Sequence, residues 1–390
     1  MGPEDHDDST PRGDNLEKTA GKLPSAGRME MAPGPRRSRR DILKGGSALL
    51  LAAIGGEIAP RDAAAATEMT ARERELYEAA KKEGEFTWYT AHSDDVTAQA
   101  LGRGFEANFP GIKVSVVRTT AQVAFQRVSQ ELKAGAMQVD VLSSTDIGHY
   151  VYLKEKKLLE QFVPENAGKV LDVYQHYDPE GYYYVTSAGM IGMVYNTAKL
   201  KEADAPKNWT DLTDPTWKDK IALGHPGFSG YVGTWTVMMR KLYGWKFFEE
   251  LAKNNPQIGR SINDTVTMLN AGERVVAGTG PFGTASESAQ KGNPLGMIYP
   301  IDGNVLILAP SGIMRGVKHP NAARLFMEYL MSVDASKVWV NHFFEPIRPE
   351  VSPSTGLKSA KELKTIRPSV EEIFKGIPEV IKQWRETFGV

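Results

Sequence analysis

Ser229-Gly230-Tyr231 closes the loop that starts at His225 and leads into a helical stretch containing Trp235 to Leu242. A helix start presents unsatisfied N–H groups and the positive end of the backbone dipole. A glycine there lets a ligand come close, so the chemistry on offer is retention of an anion. Simple capping of the helix by Ser229 accounts for the same serine. Arg118 ends a run in which Val114 and Val116 share its face. At the carboxyl end of a strand such an arginine either clamps a carboxylate or phosphate, or stays at the surface. Three segments rich in small hydroxyl and amide groups add to the polar set. They are Ala91-His92-Ser93-Asp94, Thr119-Thr120-Ala121-Gln122 and Ser143-Ser144-Thr145-Asp146. Any single loop is polar by default, but three at equivalent positions suit hydrogen bonding to a polar solute. Asn263 and Thr265 offer further hydrogen-bonding groups. Tyr182 to Tyr184 and Phe282 either wall a cleft or pack a core.

Other chemistries find little support. There is no cysteine, so disulfides, thiolate metal sites and thiol nucleophiles are excluded. The seven histidines show no HxxxH or HxxH spacing, and His92 reads as a hydrogen-bonding loop residue. No GxSxG, HExxH or P-loop occurs, and His225 to Gly230 lacks the Lys-Ser/Thr ending of a phosphate loop. Asp94 and Asp95 are adjacent and diverge. The formal net charge of −1 argues against nucleic acid as a partner. Neither a metal nor a resident cofactor is expected, and neither is catalysis.

The elements that must hold these residues alternate. Thr70 to Glu73 has capping-box spacing ahead of a helix that Gly84 ends. Phe86 to Thr90, Ile112 to Val116 and Val139 to Leu142 read as strands. Helices are expected over about 95–109, 121–133 and 146–159. Strand–helix alternation argues for a parallel sheet covered on both faces, with ligands beyond the carboxyl ends of its strands. Tyr182 to Val185 and Ile191 to Tyr195 read as two strands crossing to a second lobe. Ile221 to Leu223 and Val275 to Ala277 read as strands within it, and the chain returns near Met297 to Leu308. A helix over Pro320 to Met331 has its proline at the first turn.

Near the amino end, Arg39 and Arg40 precede an apolar run from Ser47 to Ile54, and alanines follow at Ala63 to Ala66. That order is the layout of a secretory signal, and the paired arginines resemble a twin-arginine (Tat) export signal. The run is shorter than the ~20 residues a membrane span needs. Cleavage is expected after Ala64, Ala65 or Ala66, with Met29 or Met31 as alternative starts.

Four stretches resemble the periplasmic solute-binding proteins of ABC importers, in the branch that takes ferric iron, thiamine, polyamines and phosphonates. They are Leu76 to Gly84, Asn208 to Lys218, Asn270 to Glu273 and His319 to Phe326. The resemblance implies an α/β fold of two lobes joined by crossing strands, a type II or Venus-flytrap arrangement that closes on its solute. After the extension and signal at 1–66, it implies a division into 67–188 (first lobe), 189–303 (second lobe) and 304–390 (return to the first). It also implies a small-molecule solute, delivery to an inner-membrane permease with a cytoplasmic ATPase, and a monomer in the periplasm. A sensor subunit would look the same. The family's iron-binding tyrosine pair aligns with Phe282-Gly283, which cannot ligate iron, and only Asp146 could supply the carboxylate. The candidate ligand-binding set is therefore His92, Ser93, Arg118, Thr119, Ser144, Thr145, Tyr183, Ser229, Gly230, Tyr231, Asn263 and Phe282. A small organic anion is the favoured solute, ahead of iron.

Overall fold

A computed structural model describes residues 69–390. The export segment, its paired arginines and the Ala64–Ala66 cleavage zone lie outside the described residues.

The chain begins with α1 (Ala71–Glu83), β1 (Glu85–Thr90), α2 (Asp95–Asn108), β2 (Lys113–Arg118), α3 (Ala121–Ala134), β3 (Val141–Ser143) and α4 (Gly148–Glu155). Thr70 and Glu73 form the expected capping box, and Gly84 ends α1 at φ 75°, where a side chain would be strained. The helix expected over 146–159 is shorter at both ends. Oδ1 of Asp146 accepts from the N–H of Gly148 at 2.9 Å, which holds Asp146 in the turn ahead of α4. Lys157 takes φ 56° and stops further helix.

Next come β4 (Tyr184–Asn196), β5 (Ile221–Leu223), α5 (Gly230–Tyr243), α6 (Lys246–Lys253), β6 (Gln257–Ile258) and α7 (Asp264–Asn270). They are followed by β7 (Val276–Pro281), α8 (Phe282–Gln290), β8 (Leu295–Ile298) and β9 (Asn304–Ile313). The chain finishes with α9 (Pro320–Leu330), α10 (Val333–Asn341), β10 (Thr365–Ile366) and α11 (Val370–Phe388). The two expected crossing strands are one 13-residue strand, β4. Its glycines let other side chains lie against it: Phe282 crosses Gly192, and a Cβ on Gly189 would stand 2.6 Å from the hydroxyl of Tyr231.

The strands form one sheet in the order β2-β1-β3-β9-β4-β7-β5-β6, with β8 and β10 pairing beside β4 and β9. The sheet is mixed where a parallel one was expected. β1 to β3 are parallel, as are β5 to β7, but β9 runs antiparallel to β3 and β4 antiparallel to both β9 and β7. The reversal follows from the crossing: β4 carries the chain from the β1–β3 half to the β5–β7 half, and β9 carries it back. Each half has its own aromatic core. In the first, Phe105 meets Phe86, Phe109, Phe326 and Tyr329 at centroid distances of 5.0–5.6 Å. In the second, Trp235 packs against Trp209, Phe247 and Phe248. Among the described residues no helix is long and apolar enough to cross a membrane.

α11 touches both halves. Phe374 lies against Gly148 of α4, and Ile377 against Gly233 of α5. Its start is a capping box: the Ser369 hydroxyl accepts from the Glu372 N–H at 3.2 Å, and Glu372 accepts from the Ser369 N–H at 2.7 Å. Ser369→Ala should lower stability by about 1 kcal/mol. A shift in the urea midpoint with an unchanged slope would show it.

Candidate functional site

The register of the first half brings three loops together. Thr90 pairs with Arg118 across β1 and β2, and with Ser143 across β1 and β3. The strands therefore end level, and the segments after Thr90, Arg118 and Ser143 stand side by side. They face the starts of α5 and α8 from the other half across a narrow cleft with a cavity volume of about 40 Å³.

Eight members of the sequence-derived set line this cleft: His92, Ser93, Arg118, Thr145, Ser229, Tyr231, Asn263 and Phe282. Four do not. Thr119 is turned into the sheet end, its N–H bonded to the Thr90 carbonyl, and Thr120 takes the lining position instead. Ser144 is fully buried and bonded to Nδ1 of His149 at 2.9 Å. Tyr183 sits before β4, its hydroxyl donating to the Tyr177 carbonyl at 3.2 Å, among the tyrosines of another hollow. Gly230 is pressed against lobe-one backbone: a Cβ there would stand 2.6 Å from Asp146 N and 2.7 Å from Thr145 O. Gly230 thus lets the halves touch, and the Gln122 N–H donates to the Phe228 carbonyl at 3.2 Å beside it.

Arg118 is the only Lys or Arg among the residues that line the cleft. Its Nε donates to the Ser93 carbonyl at 2.8 Å, which fixes the guanidinium plane. No carboxylate lies within ion-pair distance of it among the described residues. Burial lowers its pKa, and the fields of Asp94, Asp95 and Asp264 offset this; an arginine stays charged regardless. Two helices start at the same cleft without a side-chain cap. They are α3, through Thr120 and Ala121, and α8, through Pro281 to Thr284. α5 also begins there, capped by the Ser229 hydroxyl, which accepts from the Val232 N–H at 3.5 Å. One unpaired guanidinium beside several helix starts gives the cleft a positive field.

His92 is buried, with Nε2 3.0 Å from the Pro310 carbonyl and Nδ1 without a partner. Nε2 therefore carries the proton, and Nδ1 is an acceptor. Burial pushes its pKa down to about 4, so the ring is neutral at pH 7. Burial also raises the Tyr231 hydroxyl pKa, leaving a neutral donor that has no partner. Because the unfolded histidine titrates near 6.5 and the folded one near 4, folding excludes a proton between those values. Stability attributable to His92 is complete above pH 6.5 and falls by about 1.4 kcal/mol per pH unit below it, until about pH 4. His92→Gln should reduce the acid slope of unfolding free energy by about one proton, measured by urea titrations from pH 7 to pH 4.

Sequence reasoning missed Met190, Ser261, Ile262, Thr284, Phe343 and Phe344 in the lining. Phe343 adopts φ 63°, a costly conformation for an aromatic residue, and its carbonyl lies close to Gly283 of the other half. No local signal marks it. Among the described residues no group of three or more His, Asp or Glu side chains is gathered to hold a metal.

Two α/β lobes joined by crossing strands, with a polar cleft between them, define a solute-binding receptor of the periplasmic type. The profile of the bacterial extracellular solute-binding protein family matches residues 138–369, and the chain belongs to that family. A putative 2-aminoethylphosphonate-binding periplasmic protein of Salmonella typhimurium is 21% identical over 322 residues, covering 78% of this chain and 88% of the relative. Among solved structures, the periplasmic binding protein AfuA from Actinobacillus pleuropneumoniae, with fructose-6-phosphate bound, is 22% identical with a TM-score of 0.72. It covers 79% of this chain and 99% of AfuA. Iron-bound HitA from Pseudomonas aeruginosa is 20% identical with a TM-score of 0.67, covering 78% and 99%. The protein is a periplasmic-type solute-binding component of the ABC-importer class.

Proposed function

We propose that this protein captures a small organic anion, such as a carboxylate, phosphonate or phosphate ester, by closing its lobes around it. The observation that carries this reading is Arg118, without a carboxylate partner in a cleft where α3 and α8 begin without a side-chain cap. The eight lining residues of the sequence-derived set form the contact surface. Gly230 permits closure, and the proposed lobe boundaries are 188/189, within β4, and 303/304, where β9 begins. The filled monomer delivers its solute to an inner-membrane permease driven by a cytoplasmic ATPase, without chemical turnover. Export by the twin-arginine route, with cleavage near Ala64–Ala66, brings it to the periplasm.

A relative named for 2-aminoethylphosphonate binding and AfuA with fructose-6-phosphate bound support an anion, and iron-bound HitA supports the alternative of ferric iron. The donor set favours the anion. Iron(III) wants anionic oxygens, and the cleft offers one phenol, one imidazole and no carboxylate. A thermal-shift panel of anionic, neutral and cationic solutes tests this. Anions should raise Tm. Stabilisation by iron(III) alone, with a tyrosinate charge-transfer band, would overturn the reading.

A further inference from the structure

We propose that the cleft rejects solutes carrying an ammonium group and selects anions whose body is uncharged. This deepens the anion reading and rests on it. Among the described residues lining the cleft there is no Asp or Glu. The carboxylates whose fields reach Arg118 are Asp94, Asp95 and Asp264, and none of them is in the lining. Asp94 Oδ1 accepts from the Thr97 N–H at 2.9 Å, and Asp264 Oδ2 from the Ser261 N–H at 2.9 Å. Asp146 accepts from Gly148 N and from Gln122 Nε2, both at 2.9 Å. The anionic end of a solute satisfies Arg118 and the helix starts. An ammonium at its other end would then be stripped of water in a cleft with no negative side chain to receive it.

The groups facing that end are apolar or neutral. Met190, Ile262, Phe282, Phe343 and Phe344 supply the walls. The aromatic faces offer a cation some attraction, but this is smaller than the cost of desolvating an unpaired ammonium. The polar atoms still without a partner are His92 Nδ1, an acceptor, and the Tyr231 hydroxyl, a donor. They match a hydroxyl on the solute body. The assigned class is an anion with an apolar or hydroxylated body and no amine, which separates this chain from a relative named for an aminophosphonate.

Calorimetric titration with two matched pairs tests this. Propylphosphonate and 2-aminoethylphosphonate differ by a methyl for an ammonium; 3-phenylpropionate and phenylalanine differ by the amine. In whichever pair binds, the amine-free member should be tighter by about thirtyfold or more. Ser261→Asp, which places a carboxylate in the lining, should shift the preference toward the amine by about tenfold. Equal or tighter binding of the amine by the unaltered protein would overturn the inference while leaving the anion reading standing. Failure of all four compounds and of inorganic phosphate to bind would remove the anion reading itself, and this inference with it.

Discussion

Replacing Arg118 with alanine is expected to weaken binding of the anionic solute by about 100- to 1,000-fold. The guanidinium is held in plane by the Ser93 carbonyl, faces the cleft and has no carboxylate partner to compete with the solute. Losing one member of a desolvated, hydrogen-bonded charge pair costs about 2–5 kcal/mol, and every ~1.4 kcal/mol is tenfold in affinity. The effect should fall on the dissociation rate. Arg118→Lys keeps the charge but loses the planar fork, so it should recover only part of the affinity. Stability of the empty protein should change little, because the substitution removes a cation whose burial is opposed by desolvation. Affinity within a factor of about three of wild type, by calorimetry, would remove Arg118 from the site.

Replacing Gly230 with valine should weaken binding by about 30- to 100-fold through a different cause. Gly230 opens α5 with a φ outside the left-handed region, so a side chain is tolerated there by the local backbone. What forbids it is the other lobe, because any Cβ would stand 2.6–2.7 Å from backbone atoms of Thr145 and Asp146. Backbone cannot rotate aside as a side chain can. Relief comes by keeping the lobes apart, at a cost near the top of the ~1–3 kcal/mol usual for overpacking. Small-angle scattering should show the variant remaining extended when solute is added, with its unfolding midpoint near that of wild type. A large loss of stability with normal compaction would instead mean that Gly230 serves the helix and not closure.

The local half of this architecture was legible because local signals control it. Thr70 and Gly84 bound α1 by capping, Pro320 starts α9, and the apolar spacing after Thr120 places α3. The three loops after β1, β2 and β3 follow from strand–helix alternation. Long-range features were not legible. β4 reads as two strands because the small residues Thr186 to Gly189 interrupt its apolar pattern, yet Gly189 is what allows Tyr231 to lie across it, as Gly192 does for Phe282. Tyr183 was placed at the cleft by its neighbours in sequence, while in the segment ahead of β4 its hydroxyl bonds the Tyr177 carbonyl. Phe343 and Phe344 reach the cleft only because the chain returns along β9, and no motif near them announces that. The unpaired state of Arg118 is also a tertiary fact, since Asp94 and Asp95 lie close in sequence to His92 and Ser93 without forming an ion pair with it.

Calorimetric titration of the mature protein with carboxylate, phosphonate and phosphate-ester solutes, alongside iron(III), addresses the central claim most directly. The expected result is saturable one-to-one binding of at least one anion, with a Kd of about 1 μM or below and a negative heat-capacity change from closing the cleft. Tight binding of iron(III) with no measurable affinity for any anion would contradict it.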